Sequence, residues 1–394
     1  MRLVLFNLCL IRRMRVMPLG SQFEKMLEEE AKRKRVPLSI KLELLPVCNM
    51  NCKMCYVRTD MSYVNQHGGL IPAEKWIALA RELQEAGTLF LLLTGGEVFL
   101  YPDFRKLYEE LVGMGFMITI NTNATMIDDE TAQWLSQTPP HLVSISLYGA
   151  GDETYEQLCG QRGMFSKVDR AIRLLRDKGI RMELKTILNP LNIKDAEDIF
   201  EYAQKLGIYY LADSYAYPPI RKADRAEAYR FSPEETARQK ILFNRRVNDD
   251  RSFVLNALKT LKSYEDTKNI PGEDLYGFTC GAGNFSGWVN WQGRLTPCVM
   301  LPKPYTLPFD MGFLPAWEEL KKKCDQILMS PKCSRCEKRS VCTVCPAANF
   351  AETGSFQEAS PFHCKMTACF LEETQSLISG WRIDLAELKG EERQ

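Results

Sequence analysis

From residue 38 to residue 212 the chain switches repeatedly between short strand-like apolar runs and longer stretches of helical period, and no other feature constrains the fold so tightly. Residues 38–45 alternate apolar and polar side chains in the manner of a strand. A helix predicted over 72–86 sets Trp76, Leu79, Ala80 and Leu83 on one face, and 89–93 follows as a buried strand. Predicted helices over 102–114, 128–135, 167–178 and 195–206 then lead to strands over 116–120, 141–147, 181–187 and 208–212. Six strands joined through helices require right-handed crossovers and a parallel sheet, so the fold class is α/β. The pattern allows either a doubly wound sheet or one curled into a barrel.

The residues able to do chemistry fall just past the carboxyl ends of these strands. Cys48, Cys52 and Cys55 follow the first, Gly95-Gly96-Glu97 the second and Asn121-Thr122-Asn123 the third. Ser146 and Tyr148 close the fourth, Asn189 and Asn192 follow the fifth, and Asp213-Ser214-Tyr215 the sixth. In parallel α/β folds that edge is where loops converge on one mouth, so the clusters point to a single site. The first cluster, spaced C-x3-C-x2-C, cannot pair off as disulfides without leaving one thiol over. Such soft ligands select iron–sulfur clusters, zinc or cuprous copper. On a cubane, three ligands leave one iron open to a reactant; on zinc, a distant fourth ligand would be needed.

Cys48, Cys52, Cys55 and the aromatic Tyr56, with Thr94-Gly95-Gly96-Glu97 downstream, resemble the motifs of the radical S-adenosylmethionine (radical SAM) enzymes. The resemblance favours a partial (β/α)6 TIM-like barrel. It implies an oxidoreductase in which a 4Fe-4S cluster on the three cysteines binds and reductively cleaves S-adenosylmethionine to a 5'-deoxyadenosyl radical. It further implies that Gly95 and Gly96 bind the methionyl ammonium with Glu97 beside it, and that Asn123 and Ser146 contact the ribose and carboxylate. Arg162, Lys185 and Asn192 are further candidates that fit structural roles as well.

Composition narrows the context. Basic and acidic residues balance at 51 to 50, which leaves no global field for nucleic acid or an anionic membrane. At 394 residues the chain is too long for one ordinary core. Its 14 cysteines sit in local clusters, a pattern of metal ligation in a reducing cytoplasm. The apolar start, Met1 to Ile11, is short, lacks a small-residue cleavage site and ends in Arg12-Arg13, so neither a signal peptide nor a membrane partner is expected. Translation from Met14 or Met17 would leave Cys9 without a role. An amphipathic helix is expected over 19–35, within an N-terminal extension of residues 1–37. The barrel is expected over 38–215. A helical linker is expected over 216–275, with a basic stretch (Arg221, Lys222, Arg225, Arg230) and a capping start at Ser232.

A second cysteine field occupies 276–394. Cys280 and Cys298 flank a predicted hairpin around Gln292-Gly293, and Cys333-x2-Cys336-x5-Cys342-x2-Cys345 forms a dense knuckle with Cys364 beyond. Alone, the knuckle reads equally as a structural zinc ribbon. Attached to the barrel, it resembles the SPASM extension of radical SAM enzymes, a small cysteine-rich β-hairpin and helical domain with two auxiliary four-iron clusters. The resemblance would give Cys280, Cys298 and Cys345 to one cluster and Cys333, Cys336, Cys342 and Cys364 to the other. Only two residues separate Cys342 from Cys345, where the family usually has three. Cys324 and Cys369 read as plain buried thiols.

The resemblance extends to the peptide- and protein-modifying subfamily, whose substrates are peptides or proteins and whose electrons come from flavodoxin- or ferredoxin-type donors. Anaerobic sulfatase-maturating enzymes, which form formylglycine, carry a second cysteine soon after the first of the extension and an Asp after the hairpin cysteine. Here Gly281-Ala282-Gly283 follows Cys280 and Val299 follows Cys298, which favours a maturase of a ribosomal peptide (RiPP) forming a thioether, carbon–carbon or epimerised product. The 37 residues before the first strand fall short of the roughly eighty a precursor-recognition domain would need. Asp213, Tyr148 and Tyr215 stand as candidate bases from their strand-end positions, and Cys159 as a candidate in substrate chemistry. A non-catalytic iron–sulfur electron carrier or redox sensor is the alternative of another class.

Overall fold

A computed structural model describes residues 22–218, 229–270 and 277–379. Helix α1 (Gln22–Lys34) precedes strand β1 (Ser39–Leu45); α2 (Met61–Gln66) and α3 (Ala73–Glu85) lead to β2 (Phe90–Gly95), and α4 (Phe104–Gly113) to β3 (Met117–Thr122). α5 (Asp129–Gln137) leads to β4 (Leu142–Ser146). α6 (Asp152–Cys159) and α7 (Met164–Asp177) lead to β5 (Met182–Ile187), and α8 (Ala196–Leu206) to β6 (Tyr209–Asp213). The expected strands and crossover helices are all present within a few residues of their predicted bounds. The short helices α2 and α6 are additions, each too brief to leave a readable period. The basic stretch at 221–225 and the alternative starts lie outside the described residues.

β1 to β6 are parallel in sequence order, and the sheet is not closed. Register separates its two faces. One carries Ile40, Leu42 and Leu44 of β1, Leu91 and Leu93 of β2, Ile118 and Ile120 of β3 and Val143 and Ile145 of β4, all nearly or fully buried. The other pairs Glu43 with Thr94, Asn121 with Ser144, Ser144 with Glu183 and Ser146 with Lys185. Doubly wound sheets bury both faces under helices and carry near-continuous apolar strands. A polar inner face is the signature of a curled sheet around a functional interior, which settles in favour of the partial barrel what the alternation alone left open.

Among the described residues two compact units emerge, and they do not follow chain order: residues 22–218, 229–230 and 277–328 form one, and 231–270 with 329–379 the other. The expected segment 276–394 is thus divided. The reason is strand pairing. The hairpin β7 (Ser286–Val289) and β8 (Leu295–Thr296) adds to the barrel sheet, β7 lying parallel to β1 through Lys41 opposite Trp288 and Leu42 opposite Val289. In the same unit follow α11 (Pro308–Met311) and α12 (Phe313–Asp325), whose Trp317 indole donates to Arg35 O at 3.1 Å.

The other unit holds α9 (Pro233–Val247), α10 (Asp250–Thr267), α13 (Pro331–Ser334), α14 (Pro346–Thr353) and α15 (Pro361–Ser379). Ser232 caps α9 through Glu235 N at 3.1 Å, as the sequence predicts. Ala237 of α9 packs with Met366 and Cys369 of α15, so Cys369 is a core thiol. Among the described residues no helix is long and apolar enough to cross a membrane.

Candidate active site at the carboxyl edge of the sheet

The loop after β1 is held by its backbone first. Asn51 N donates to Cys159 O at 3.0 Å and Lys53 N to Leu158 O at 2.9 Å, so the end of α6 grips the middle of the loop. Cys55 N closes a turn on Cys52 O at 3.0 Å, and Thr59 N returns to Pro46 O at 3.0 Å. The end of β2 lies against the loop's first residues, with Gly96 N to Leu45 O at 2.8 Å and Glu97 N to Val47 O at 2.9 Å. A Cβ on Gly95 would stand 2.2 Å from Leu45 O, and one on Gly96 2.1 Å from Val47 O. The glycine pair lets these two backbones touch.

Glu97 is fully buried and accepts from three donors: Thr122 Oγ1 at 2.7 Å, Asn123 N at 2.7 Å and Phe99 N at 3.2 Å. Burial raises its pKa and these three bonds oppose the rise. Its carboxylate therefore ties the ends of β2 and β3 together. Asn123 acts likewise. Its amide donates to Asn49 Oδ1 at 2.9 Å and to Cys48 Sγ at 3.5 Å, while its oxygen accepts from Thr125 N and Oγ1 at 3.0 and 2.6 Å. Asn49 Nδ2 completes the ring on Thr125 Oγ1 at 2.8 Å, and Gln161 holds Asn49 O.

The Cys48 thiol is pushed up to about 12, mainly by burial, with the Met50 amide at 3.4 Å opposing and Glu97, Cys52 and Cys55 adding to the rise. A free thiol in that state is inert; coordination by a metal is what would deprotonate it. Among the described residues no three His, Cys, Asp or Glu side chains converge on a point fit for one ion. A cubane, being larger, takes its thiolates from further apart. On the polar inner face the Asn121 side-chain oxygen is buried with no protein partner, an acceptor left for a ligand. The donor set and this orphaned atom both fit a cluster with a polar co-ligand.

Tyr148 lies beside the loop. Burial holds its phenol well above the ordinary tyrosine range, Cys52 adds to the shift, and a bond to Ser146 opposes it. Tyr56 stacks obliquely on Tyr217 at 6.0 Å, and Tyr217 meets Tyr215 edge-on at 4.9 Å. Asp213 is exposed, its Oδ1 accepting from Tyr215 N at 3.0 Å.

Three further candidates make their contacts within the fold. Asn192 is fully buried, and its amide accepts from Asn189 N at 2.8 Å and donates to Ile187 O at 3.0 Å, which makes it a staple of its own loop. Cys159 has no exposed surface and serves the loop through its carbonyl. Arg162 pairs with Glu156 at 2.6 Å with 86% of its side chain in solvent. Sequence reasoning missed Asn49, Thr125 and Gln161, which reveal themselves only as partners across loops. It also passed over Lys41 and Glu43, although polar residues alternating with Ile40, Leu42 and Leu44 already mark an inner face.

In the barrel unit Cys280 is exposed and Cys298 half-buried, and both raise the pKa of Lys41, which burial brings down to about 8. Lys41 Nζ is held by Ser286 Oγ, and by Ser39 Oγ at 3.2 Å. In the other unit burial raises Cys333 and Cys342, and Cys336 and Cys364 lie near enough to both to add to the rise. Cys345 caps α14 through Ala348 N at 3.4 Å. His363 is buried and its Nδ1 pairs with Ser360 Oγ at 2.9 Å.

Comparison with known proteins agrees with this geometry. Residues 42–203 match the family model described as the Radical SAM superfamily. The chain is 23% identical over 337 residues to the AdoMet-dependent heme synthase of Methanosarcina barkeri, covering 83% of this chain and 96% of that protein. It is 25% identical over 273 residues to the antilisterial bacteriocin subtilosin biosynthesis protein AlbA of Bacillus subtilis, covering 69% and 57%. In fold it matches Streptococcus suis SuiB bound to precursor peptide SuiA, with a TM-score of 0.62 at 16% identity over 88% of this chain and 82% of that one. The three-cysteine loop at the mouth of an open parallel barrel lies in the matched segment, so residues 42–203 belong to a radical SAM domain, with a 4Fe-4S cluster and S-adenosylmethionine as its cofactors.

Proposed function

We propose that the chain is a radical SAM maturase that modifies a ribosomally made peptide, forming a thioether, carbon–carbon or epimerised product. The observation that carries this is the loop of Cys48, Cys52 and Cys55, clamped at the carboxyl edge beside a polar inner face. Likeness to a bacteriocin biosynthesis protein and, in fold, to an enzyme crystallised with its precursor peptide supports a peptide as substrate. Cys48, Cys52 and Cys55 would hold the cluster, which when bound supplies the electron that cleaves S-adenosylmethionine. Around it Glu97 and Asn123 fix the loop, Ser146 and Asn121 offer polar contacts to the co-ligand, and Tyr56, Tyr215 and Tyr217 shield one side from water. Glu97 and the backbone of Gly95 and Gly96 act by shape: they set where the loop stands.

Cys333, Cys336, Cys342 and Cys364 would hold one auxiliary cluster, and Cys280 and Cys298 would serve another. A cytoplasmic flavodoxin- or ferredoxin-type protein would donate electrons. The test is reductive formation of 5'-deoxyadenosine by anaerobically reconstituted protein, followed by mass spectrometry on short peptides from neighbouring reading frames. Absence of 5'-deoxyadenosine at full iron loading overturns the reading.

A second reading rests on the heme synthase relative, 96% of whose length aligns. It would make the substrate a porphyrin, and the same assay with a porphyrin bearing propionates decides: loss of mass from that substrate, with peptides unchanged, favours it.

A further inference from the structure

A cavity of about 430 Å³ opens between α2 and the β7–β8 hairpin. Tyr63, Trp288 and Trp291 form aromatic walls, and Arg294 and Val299 line the remainder. Its place is informative. β7 runs parallel to β1, so Asn290 and Trp291, just past its end, lie at the same edge as the cysteine loop, and Val299 adjoins Cys298. Trp288 donates its indole N–H to the buried Glu43 on the inner face of β1 at 3.0 Å, joining the cavity wall to the barrel interior.

Most polar groups of the wall are spent within the fold. Asn290 Oδ1 accepts from Gln292 N and Arg294 N, each at 3.0 Å, and Thr296 Oγ1 donates to the carbonyls of Trp288 and Cys298. Arg294 differs. Its guanidinium rests over the Tyr305 ring at 4.7 Å, and among the described residues it meets no carboxylate. Seven other arginines in this unit each face an acidic side chain. A guanidinium seated over an aromatic ring still has N–H groups to offer a planar bidentate acceptor.

Resting on the reading that this is a radical SAM enzyme with a substrate site at the carboxyl edge, we infer that this cavity is a carboxylate-recognition subsite for the substrate, with Arg294 pairing the carboxylate and Tyr63, Trp288 and Trp291 packing the apolar group that bears it. The carboxylate is that of an acidic peptide side chain or of a porphyrin propionate, the two sources sharing one chemistry. No bond is made or broken in this subsite; its work is orientation.

Calorimetric titration of the reconstituted enzyme tests this without turnover. Two ligand pairs are used: acetylated, amidated pentapeptides differing only in a central glutamate or glutamine, and a porphyrin bearing propionates against its methyl ester. In one pair the carboxylate form should bind at least about tenfold more tightly than its neutral counterpart, weaken with added KCl, and lose that preference in Arg294→Gln, with Arg294→Lys intermediate. Which pair responds identifies the source. Equal affinity within both pairs, or a preference that survives in Arg294→Gln, overturns the subsite; failure of the wild-type protein to form 5'-deoxyadenosine overturns the enzyme reading separately.

Discussion

Replacing Gly96 with alanine puts one methyl group into a space that two backbones already fill. The added Cβ would stand 2.1 Å from Val47 O, 2.4 Å from Val47 C and 2.9 Å from Cys48 N, while contact becomes ordinary only at 3.4 Å. The deficit of 1.3 Å (2.1 against 3.4 Å) falls on main-chain atoms, which cannot rotate away as a side chain can. Val47 and Cys48 must move by about that much, which strains or breaks the Glu97 N to Val47 O bond of 2.9 Å. Overpacking of this kind costs about 1–3 kcal/mol, and an amide left unpaired costs about 1–3 kcal/mol more. The variant should therefore fold, with a Tm lower by several degrees. Displacement of about 1 Å at a reacting group costs on the order of 100-fold in rate. Cys48 is the first ligand of the loop, so 5'-deoxyadenosine formation under dithionite should fall by about that factor, with iron content per chain reduced. An alanine variant that reconstitutes fully and cleaves S-adenosylmethionine at the native rate would show that the glycine does not set the position of the loop.

Four further outcomes follow from the same geometry. Asn192→Ala should lower stability by about 1–3 kcal/mol in urea titrations while leaving the KM for S-adenosylmethionine unchanged, because its amide serves only its own loop. Cys364→Ala should remove about four iron atoms per chain and still form 5'-deoxyadenosine without peptide product, whereas Cys48→Ala should abolish that cleavage; equal effects of the two would refute the division of labour. Cys159→Ala should leave product formation unchanged, since the thiol is fully buried and the loop uses only its carbonyl. For Lys41 the sign is set by its lowered pKa of about 8: the folded state disfavours the ammonium, so the penalty is present below about pH 8 and is relieved as pH rises towards the ordinary lysine value. Apoprotein should therefore gain stability relative to Lys41→Met between pH 7 and 10, and parallel pH profiles would contradict this.

Much of the fold is local in origin and can be read along the chain. Six strands and their crossover helices follow from apolar period, and the cysteine spacing with the downstream glycine pair is enough to place one site at the carboxyl edge. The choice between barrel and doubly wound sheet is different, because it depends on which residues share a face across strands. Glu43 beside Thr94 and Ser144 beside Glu183 become one polar surface only through register. The same holds for the hairpin: Trp288 and Val289 are strand-like in sequence, but their pairing with Lys41 and Leu42 spans more than 240 positions and moves 277–328 into the barrel unit.

Residue roles divide along the same line. That Cys48, Cys52 and Cys55 stand together is a matter of a few peptide bonds, so composition and spacing reveal it. That Glu97 and Asn123 brace the loop, that Asn192 staples its own turn and that Arg294 faces a cavity without an acid are matters of distance between elements far apart in the chain. Side-chain identity sets what a group can bond to, but hydrogen bonds act over about 3 Å, and only the folded backbone decides which partners come within that reach.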